Sequence, residues 1–156
     1  MAVSTVHAER DIKADPRVVW SILTDLDGAP DVLSGVVAVE RLEGEGYEVG
    51  VKWRETRRML GKEASEEMWV VAVEEPFTTT VSAESGGTRY ATVFVCEPIE
   101  GGTRLSVDFG GESVNPGLGQ RIGWALFGKI GLKSTQKALV KDLEDIAKAA
   151  EKRPTP

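Results

Sequence analysis

The fold is decided by Val49-Gly50-Val51-Lys52-Trp53-Arg54-Glu55-Thr56-Arg57-Arg58-Met59-Leu60-Gly61-Lys62-Glu63-Ala64-Ser65-Glu66-Glu67-Met68-Trp69-Val70-Val71-Ala72. Read as a hairpin with Leu60 and Gly61 at the turn, it pairs Met59 with Lys62, Arg58 with Glu63, Arg57 with Ala64 and Glu55 with Glu66. Further along it pairs Arg54 with Glu67, Trp53 with Met68 and Val51 with Val70. Because side chains alternate faces, a slip of one residue would exchange the two surfaces. In this register one face reads Val49, Val51, Trp53, Met68, Val70 and Ala72. The other carries two opposite-charge cross-strand pairs, Arg58 with Glu63 and Arg54 with Glu67. The apolar face is therefore the inner one.

The pattern extends in both directions. Turn signals at Gly44-Glu45-Gly46, Leu60-Gly61, Glu75-Pro76, Ser85-Gly86-Gly87 and Gly101-Gly102 divide the middle of the chain into six strands. These span 36–42, 47–58, 63–74, 77–84, 89–97 and 103–110. Hairpin turns need positive φ, which glycine supplies, and this accounts for many of the 17 glycines. Carrying the pairing onward places Thr79, Val81 and Ala83 inside, then Tyr90, Thr92, Phe94 and Cys96, then Leu105, Val107 and Phe109. Their neighbours Thr80, Ser82, Glu84, Arg89, Arg104, Ser106 and Asp108 face out.

Val3 to Lys13 reads as a strand preceding this set. Asp15-Pro16 is a helix cap followed by proline at the first helical position. Val18, Val19, Ile22 and Leu23 follow at helical spacing, with Trp20 on the flank. Asp27-Gly28-Ala29-Pro30 ends that helix, and a second short one runs to about Leu33. Asn115-Pro116 opens a long helix to about Glu151, with a kink near Gly128 and Gly131. Leu139, Leu143, Ile146, Ala147 and Ala150 form its apolar stripe. Its first half carries Gly119, Gly123, Gly128 and Gly131 among Ile122, Trp124, Leu126 and Phe127, and small residues there leave space between helix and sheet. The order predicts an α+β fold: a seven-stranded curved antiparallel sheet around a long C-terminal helix, with two short helices after strand 1. A doubly wound parallel sheet would need alternating strands and helices. One domain over 1–152 and a frayed tail at 153–156 are expected.

Composition narrows the function. A net charge of −6 over 156 residues disfavours binding to nucleic acid, which needs clustered positive charge, and to anionic lipid. No uncharged run exceeds eight residues, and a bilayer span needs roughly 20. One cysteine, Cys96, leaves no internal disulfide or Cys-based zinc cluster, and one histidine, His7, leaves no multi-His metal site. No cofactor is expected. Without a basic and apolar leader, the chain reads as cytoplasmic. Cys96 reads as a small core residue and His7, facing opposite Val6 and Ala8, as a surface one. Gly117-Leu118-Gly119 follows a helix cap, not a strand, so it is no nucleotide fingerprint. Of the carboxylates from Glu63 to Glu67, two face outward, which disfavours a calcium site.

The inner face is not purely apolar. It carries Glu55, Arg57 and Glu66, with Thr79, Tyr90, Thr92 and Cys96 as weaker polar groups. Isolated buried charge is costly, so such groups must pair, be wetted or meet a ligand. Apolar walls with a few convergent polar groups are the usual make-up of a small-molecule pocket. The expected lining is Trp53, Glu55, Arg57, Glu66, Met68, Tyr90, Thr92, Phe94, Phe109, Ile122 and Leu126. The plainer alternative puts Glu55, Arg57 and Glu66 at a solvated rim, as an ordinary ion pair, and Trp53, Met68 and Phe94 in ordinary core packing.

Four pieces, in order, resemble one family: Ala14-Asp15-Pro16-Arg17-Val18-Val19-Trp20, Gly50-Val51-Lys52-Trp53-Arg54-Glu55-Thr56-Arg57, Gly101-Gly102-Thr103-Arg104-Leu105 and the capped C-terminal helix. The set resembles the START-related SRPBCC superfamily, which includes polyketide cyclases/aromatases, the major birch pollen allergen and lipid-transfer domains. The likeness runs from about Val3 to Glu151. It implies a helix-grip fold around an apolar cavity, but no single activity, since enzymes, carriers and receptors share the scaffold.

Three roles follow as expectations. One is binding of a small hydrophobic or aromatic molecule of polyketide, lipid or quinone type. The second is a polyketide aromatase/cyclase, with Arg57 holding an enolate or carboxylate, Glu55 or Glu66 as base and Tyr90 as acid. The third is a homodimer through Trp69, Val71, Val93 and Val95 on the outer sheet face.

Overall fold

In a computed structural model of the protein, residues 4–59, 61–85, 88–113 and 129–153 are described. Strand β1 (Ser4–Ile12) leads into helix α1 (Pro16–Leu23) and the short α2 (Ala29–Val32). Strands β2 (Val36–Glu43), β3 (Lys52–Met59), β4 (Lys62–Glu74), β5 (Thr78–Ser85), β6 (Thr88–Ile99) and β7 (Gly102–Ser113) follow, and then helix α3 (Lys129–Lys152). The strands form one seven-stranded antiparallel sheet in the order β1-β7-β6-β5-β4-β3-β2. Consecutive strands pair by hairpins, and β1 closes the far edge against β7. The fold is the expected helix grip. The start of the long helix, with Gly119, Gly123, Gly128 and the proposed kink near Gly128, lies outside the described residues.

Local sequence explains the elements. Asp15 caps α1 by accepting from the Arg17 amide at 2.8 Å, and Pro16 occupies the first turn. Val18, Val19, Trp20 and Ile22 are buried, so Trp20 is a core residue and not a flanking one. Its ring meets Tyr47 edge-on, with centroids 6.4 Å apart. The β3–β4 register is the expected one from Met59 opposite Lys62 to Trp53 opposite Met68. Gly61 holds the turn at φ 77°, a conformation that side chains disfavour. Gly102 sits so close to the Ile12 carbonyl that a Cβ would clash with it, which seats β7 against the end of β1.

Two inner-face assignments need correction. A register shift in the β4–β5 pairing between Val70 and Ala72 places two β4 residues against one on β5. Beyond this bulge the parity of β4 inverts: Ala72 is exposed and Val73 turns inward. Val49 is 63% exposed, because the chain from Gly44 to Gly50 is an extended turn and β3 begins only at Lys52. Ser82, expected outside, is buried on its own face between Trp69 and Ala91 in the ladder.

The core divides in two. The larger cluster joins β1, α1, β6, β7 and α3 through residues such as Ile12, Val19, Leu105, Val107, Leu143 and Ala150. Leu139, Leu143, Ile146, Ala147 and Ala150 supply the helix side, as their spacing predicts. The smaller cluster, Leu26, Val51, Trp53, Val70 and Val81, sits on β3 to β5, with Tyr47 and Met68 packed against it. Cys96 is buried, and burial pushes its thiol up to about 12. His7 lies on the outer face, bonded to Asp108 at 2.7 Å and Glu9 at 2.9 Å. Of the outer apolar set, Val71 is exposed while Trp69, Val93 and Val95 are half-buried.

Candidate functional site

Strand alternation puts Trp53, Glu55 and Arg57 on the inner face of β3, and hydrogen bonds join them in a line. The buried Trp53 indole donates from Nε1 to Glu55 Oε1 at 3.4 Å. Glu55 Oε2 accepts from Arg57 Nε at 2.7 Å. The Arg57 guanidinium then crosses to α3, donating to Asp142 Oδ1 at 3.1 Å and Oδ2 at 2.7 Å. A forked guanidinium–carboxylate pair is the strongest and most directional ion pair available to a protein. The side chains of Glu55 and Asp142 are 13% and 8% exposed, and that of Arg57 is 25%. This is a sheltered network bridging sheet and helix, unlike the solvated rim pair that the residue types alone also allow.

The electrostatics follow from that shelter. Burial works against the Arg57 charge, but Asp142 and Glu55 more than offset it, so its pKa lies above the ordinary value. Burial pushes the Asp142 carboxyl upward, against the pull of Arg57.

Glu66 stands apart. It lies directly across the ladder from Glu55, half-buried, with no hydrogen-bond or ion-pair partner among the described residues. Burial and the charge of Glu55 hold its proton above the ordinary carboxylate range, against the pull of Arg57. Met68, two residues on, packs against the Trp53 cluster. These groups make a carboxyl pair, one member tied into a network and one not, beside an apolar wall.

The other expected lining residues fall elsewhere on the inner face. Tyr90 is buried and stacks on Phe109, with centroids 5.4 Å apart and planes 11° from parallel. Thr92 is buried between Val81 and Phe109 in the ladder. Phe94 and Phe109 pack against the larger cluster, around α3. Ile122 and Leu126 lie outside the described residues.

Three participants escaped the sequence reading. Asp142 anchors Arg57. Asp145, one turn on, accepts from both the amide and the hydroxyl of Ser34 at 2.9 Å, pinning the segment before β2 to α3. The Tyr47 hydroxyl lies 2.8 Å from Thr79 Oγ1, which itself donates to the Ala72 carbonyl at 3.0 Å, so Tyr47 is the donor to Thr79. Asp142 was detectable in principle. It falls three residues after Leu139 and four before Ile146, on the apolar stripe, where a lone carboxylate demands a cation from across the interface.

A cavity of about 310 Å³ opens beside the Arg57–Asp142 pair. It lies between Ser34-Gly35, the end of β3 at Arg58 and Met59, and the Lys133 to Lys141 face of α3. Of the expected ligand-contacting residues that are described, Arg57 alone borders it. Among the described residues no group of His, Cys, Asp or Glu is arranged to hold a metal ion. No described helix is long and apolar enough to cross a membrane.

Known structures share this architecture. Zhui aromatase/cyclase from Streptomyces sp. R1128 superposes with a TM-score of 0.80 at 16% identity, over 97% of this chain and 96% of its own. The protein TTHA0849 from Thermus thermophilus gives 0.76 at 24% identity, over 94% and 97%. Major latex-like protein 151 from Panax ginseng gives 0.77 at 14% identity, over 95% and 97%. At these identities the likeness is one of fold. No curated protein matches the sequence. The sequence profile described as polyketide cyclase/dehydrase and lipid transport matches residues 4–151, and it takes in the whole sheet, the Trp53-Glu55-Arg57 line and its anchor Asp142; the chain belongs to that family.

Proposed function

We propose that the chain binds a small hydrophobic or aromatic molecule against the inner face of β3 to β6, where Trp53, Met68 and Tyr90 offer apolar contact and Glu66 a polar one. The observation that carries this reading is Glu66. A half-buried carboxyl without a hydrogen-bond or ion-pair partner among the described residues costs stability, and a ligand hydroxyl or carbonyl meeting it would recover that cost. The Glu55–Arg57–Asp142 network holds its own charges in place and so supplies a fixed electrostatic background to whatever binds beside it. Family membership supports an apolar ligand of polyketide or lipid type. The test is a thermal-shift and tryptophan-fluorescence titration with aromatic polyketides, fatty acids and quinones. A saturable response from one class, weakened in Glu66→Gln and Met68→Ala, supports the reading. The absence of any saturable response across the three classes overturns it.

The upward shift of the Glu66 carboxyl favours a second reading, polyketide aromatase/cyclase chemistry. A carboxyl that holds its proton to higher pH than usual is a better general acid toward a developing enolate or a departing hydroxyl. Incubation with a nascent poly-β-ketone chain distinguishes the two: a product spectrum identical to that in buffer excludes catalysis and leaves binding.

A further inference from the structure

The cavity beside the Arg57–Asp142 pair differs in chemistry from the inner face. In a chain of net charge −6, its border gathers Arg57, Arg58, Lys133, Lys137 and Lys141. The three lysines follow one another at four-residue spacing, which stacks their ammonium groups on one face of α3 and weakens the helix by like-charge repulsion. Most of these cations are neutralised locally. Arg57 is held by Glu55 and Asp142, Arg58 meets Glu63 at 2.6 Å, and Lys141 meets Asp145 at 3.0 Å. Lys133 and Lys137 have no ion pair among the described residues. Two ammonium groups with no ion pair among the described residues therefore border a concave space of about 310 Å³, with Ser134 beside them and Met59 and Ala138 supplying apolar surface. Its volume is in the range of small-ligand sites.

We propose that this groove binds a small soluble dianion, a phosphomonoester or diphosphate group, between Lys133 and Lys137. Lysine binds phosphate as a mobile point charge, and two of them match a doubly charged group where a single carboxylate would match only one. Relief of the Lys133–Lys137–Lys141 repulsion adds to the attraction. Among the described residues the border of the groove shares only Arg57 with the inner face, so the proposal stands apart from the apolar ligand proposed above.

The experiment is an amide chemical-shift titration of the full chain with inorganic pyrophosphate, repeated with sodium chloride at matched ionic strength. Saturable shifts confined to residues 34–35, 58–59 and 133–142, absent with chloride, are expected. The double variant Lys133→Gln/Lys137→Gln should bind about tenfold more weakly or worse while keeping its fold, because removing like-charge neighbours does not harm the helix. Shifts that fail to saturate, that chloride reproduces, or that survive in the double variant overturn the proposal. So does capture of the chain by phosphatidic acid vesicles without saturable pyrophosphate binding, which would make the basic face a membrane contact. An apolar-ligand titration on the double variant reads the inner face separately, so failure of one proposal is not mistaken for failure of the other.

Discussion

The two halves of the sheet bury different things. Around β1, β7 and β6, every element contributes apolar side chains, and Val19, Leu105, Val107 and Ala150 are fully enclosed. The fully buried Thr103 there is satisfied within the chain, donating to the Ala14 carbonyl at 2.7 Å. Around β3 and β4 a smaller apolar cluster shares its face with Glu55, Arg57 and Glu66. The first half can be accounted for by packing alone. The second places charge where packing would prefer none, and Glu66 is left without a partner among the described residues. Stability is concentrated on one side of the sheet, which lets the other carry groups that cost stability and offer chemistry.

The largest test of this contrast is Leu105→Ala. It empties a fully buried site against α1 and α3 and should cost about 2–5 kcal/mol by denaturant unfolding. A cost no greater than that of a surface change would break the contrast. Next comes Asp142→Asn, which strips Arg57 of its forked partner but leaves Glu55 in place. A loss of about 2–4 kcal/mol is expected, while the triple replacement Glu55→Gln/Arg57→Met/Asp142→Leu, which leaves no member of the network charged and unpaired, should recover much of it. Glu66→Gln is predicted to act in the opposite direction. Glu66 keeps its proton to higher pH when folded than when unfolded, so its contribution is fully present below the unfolded pKa and is lost as pH rises through the folded one. The variant should therefore melt a few degrees higher than the parent at neutral pH and match it in acid, as followed by circular dichroism across pH. The smallest effect belongs to Arg58→Ala, whose exposed pair with Glu63 should leave the unfolding midpoint unchanged within error.

The fold was legible because short-range patterns decide it. The Leu60-Gly61 turn and the two outer charge pairs set the β3–β4 register without any long-range information, and the Asp15-Pro16 cap did the same for α1. The bulge was not legible, because a single extra residue between Val70 and Ala72 leaves the local alternation of hydrophobic and polar residues unmarked. Glu55, Arg57 and Glu66 were recognisable as inward charge from parity alone. Which of them would be tied down was not, since Arg57 finds its partner 85 residues away in Asp142. Pairings at that separation depend on how α3 lies across the sheet, and the apolar stripe constrains its facing but not its position along the strands.

The β4 bulge acts on this strand much as a shift of reading frame acts on a message. Before Val71, even-numbered residues such as Glu66, Met68 and Val70 turn inward; after it, odd-numbered Val73 does. Val73 touches both apolar clusters, so the change of frame supplies the side chain by which the two are joined. Were the bulge flattened with Val71 kept, Ala72 and Glu74 would turn inward and Val73 outward, whereas deleting Val71 itself would leave Val73 opposite Thr79 in a regular ladder. Deletions in this strand are therefore not equivalent: loss of the extra residue at the bulge leaves every inward position in phase, while loss of a residue elsewhere in β4 exchanges the faces of the strand beyond it.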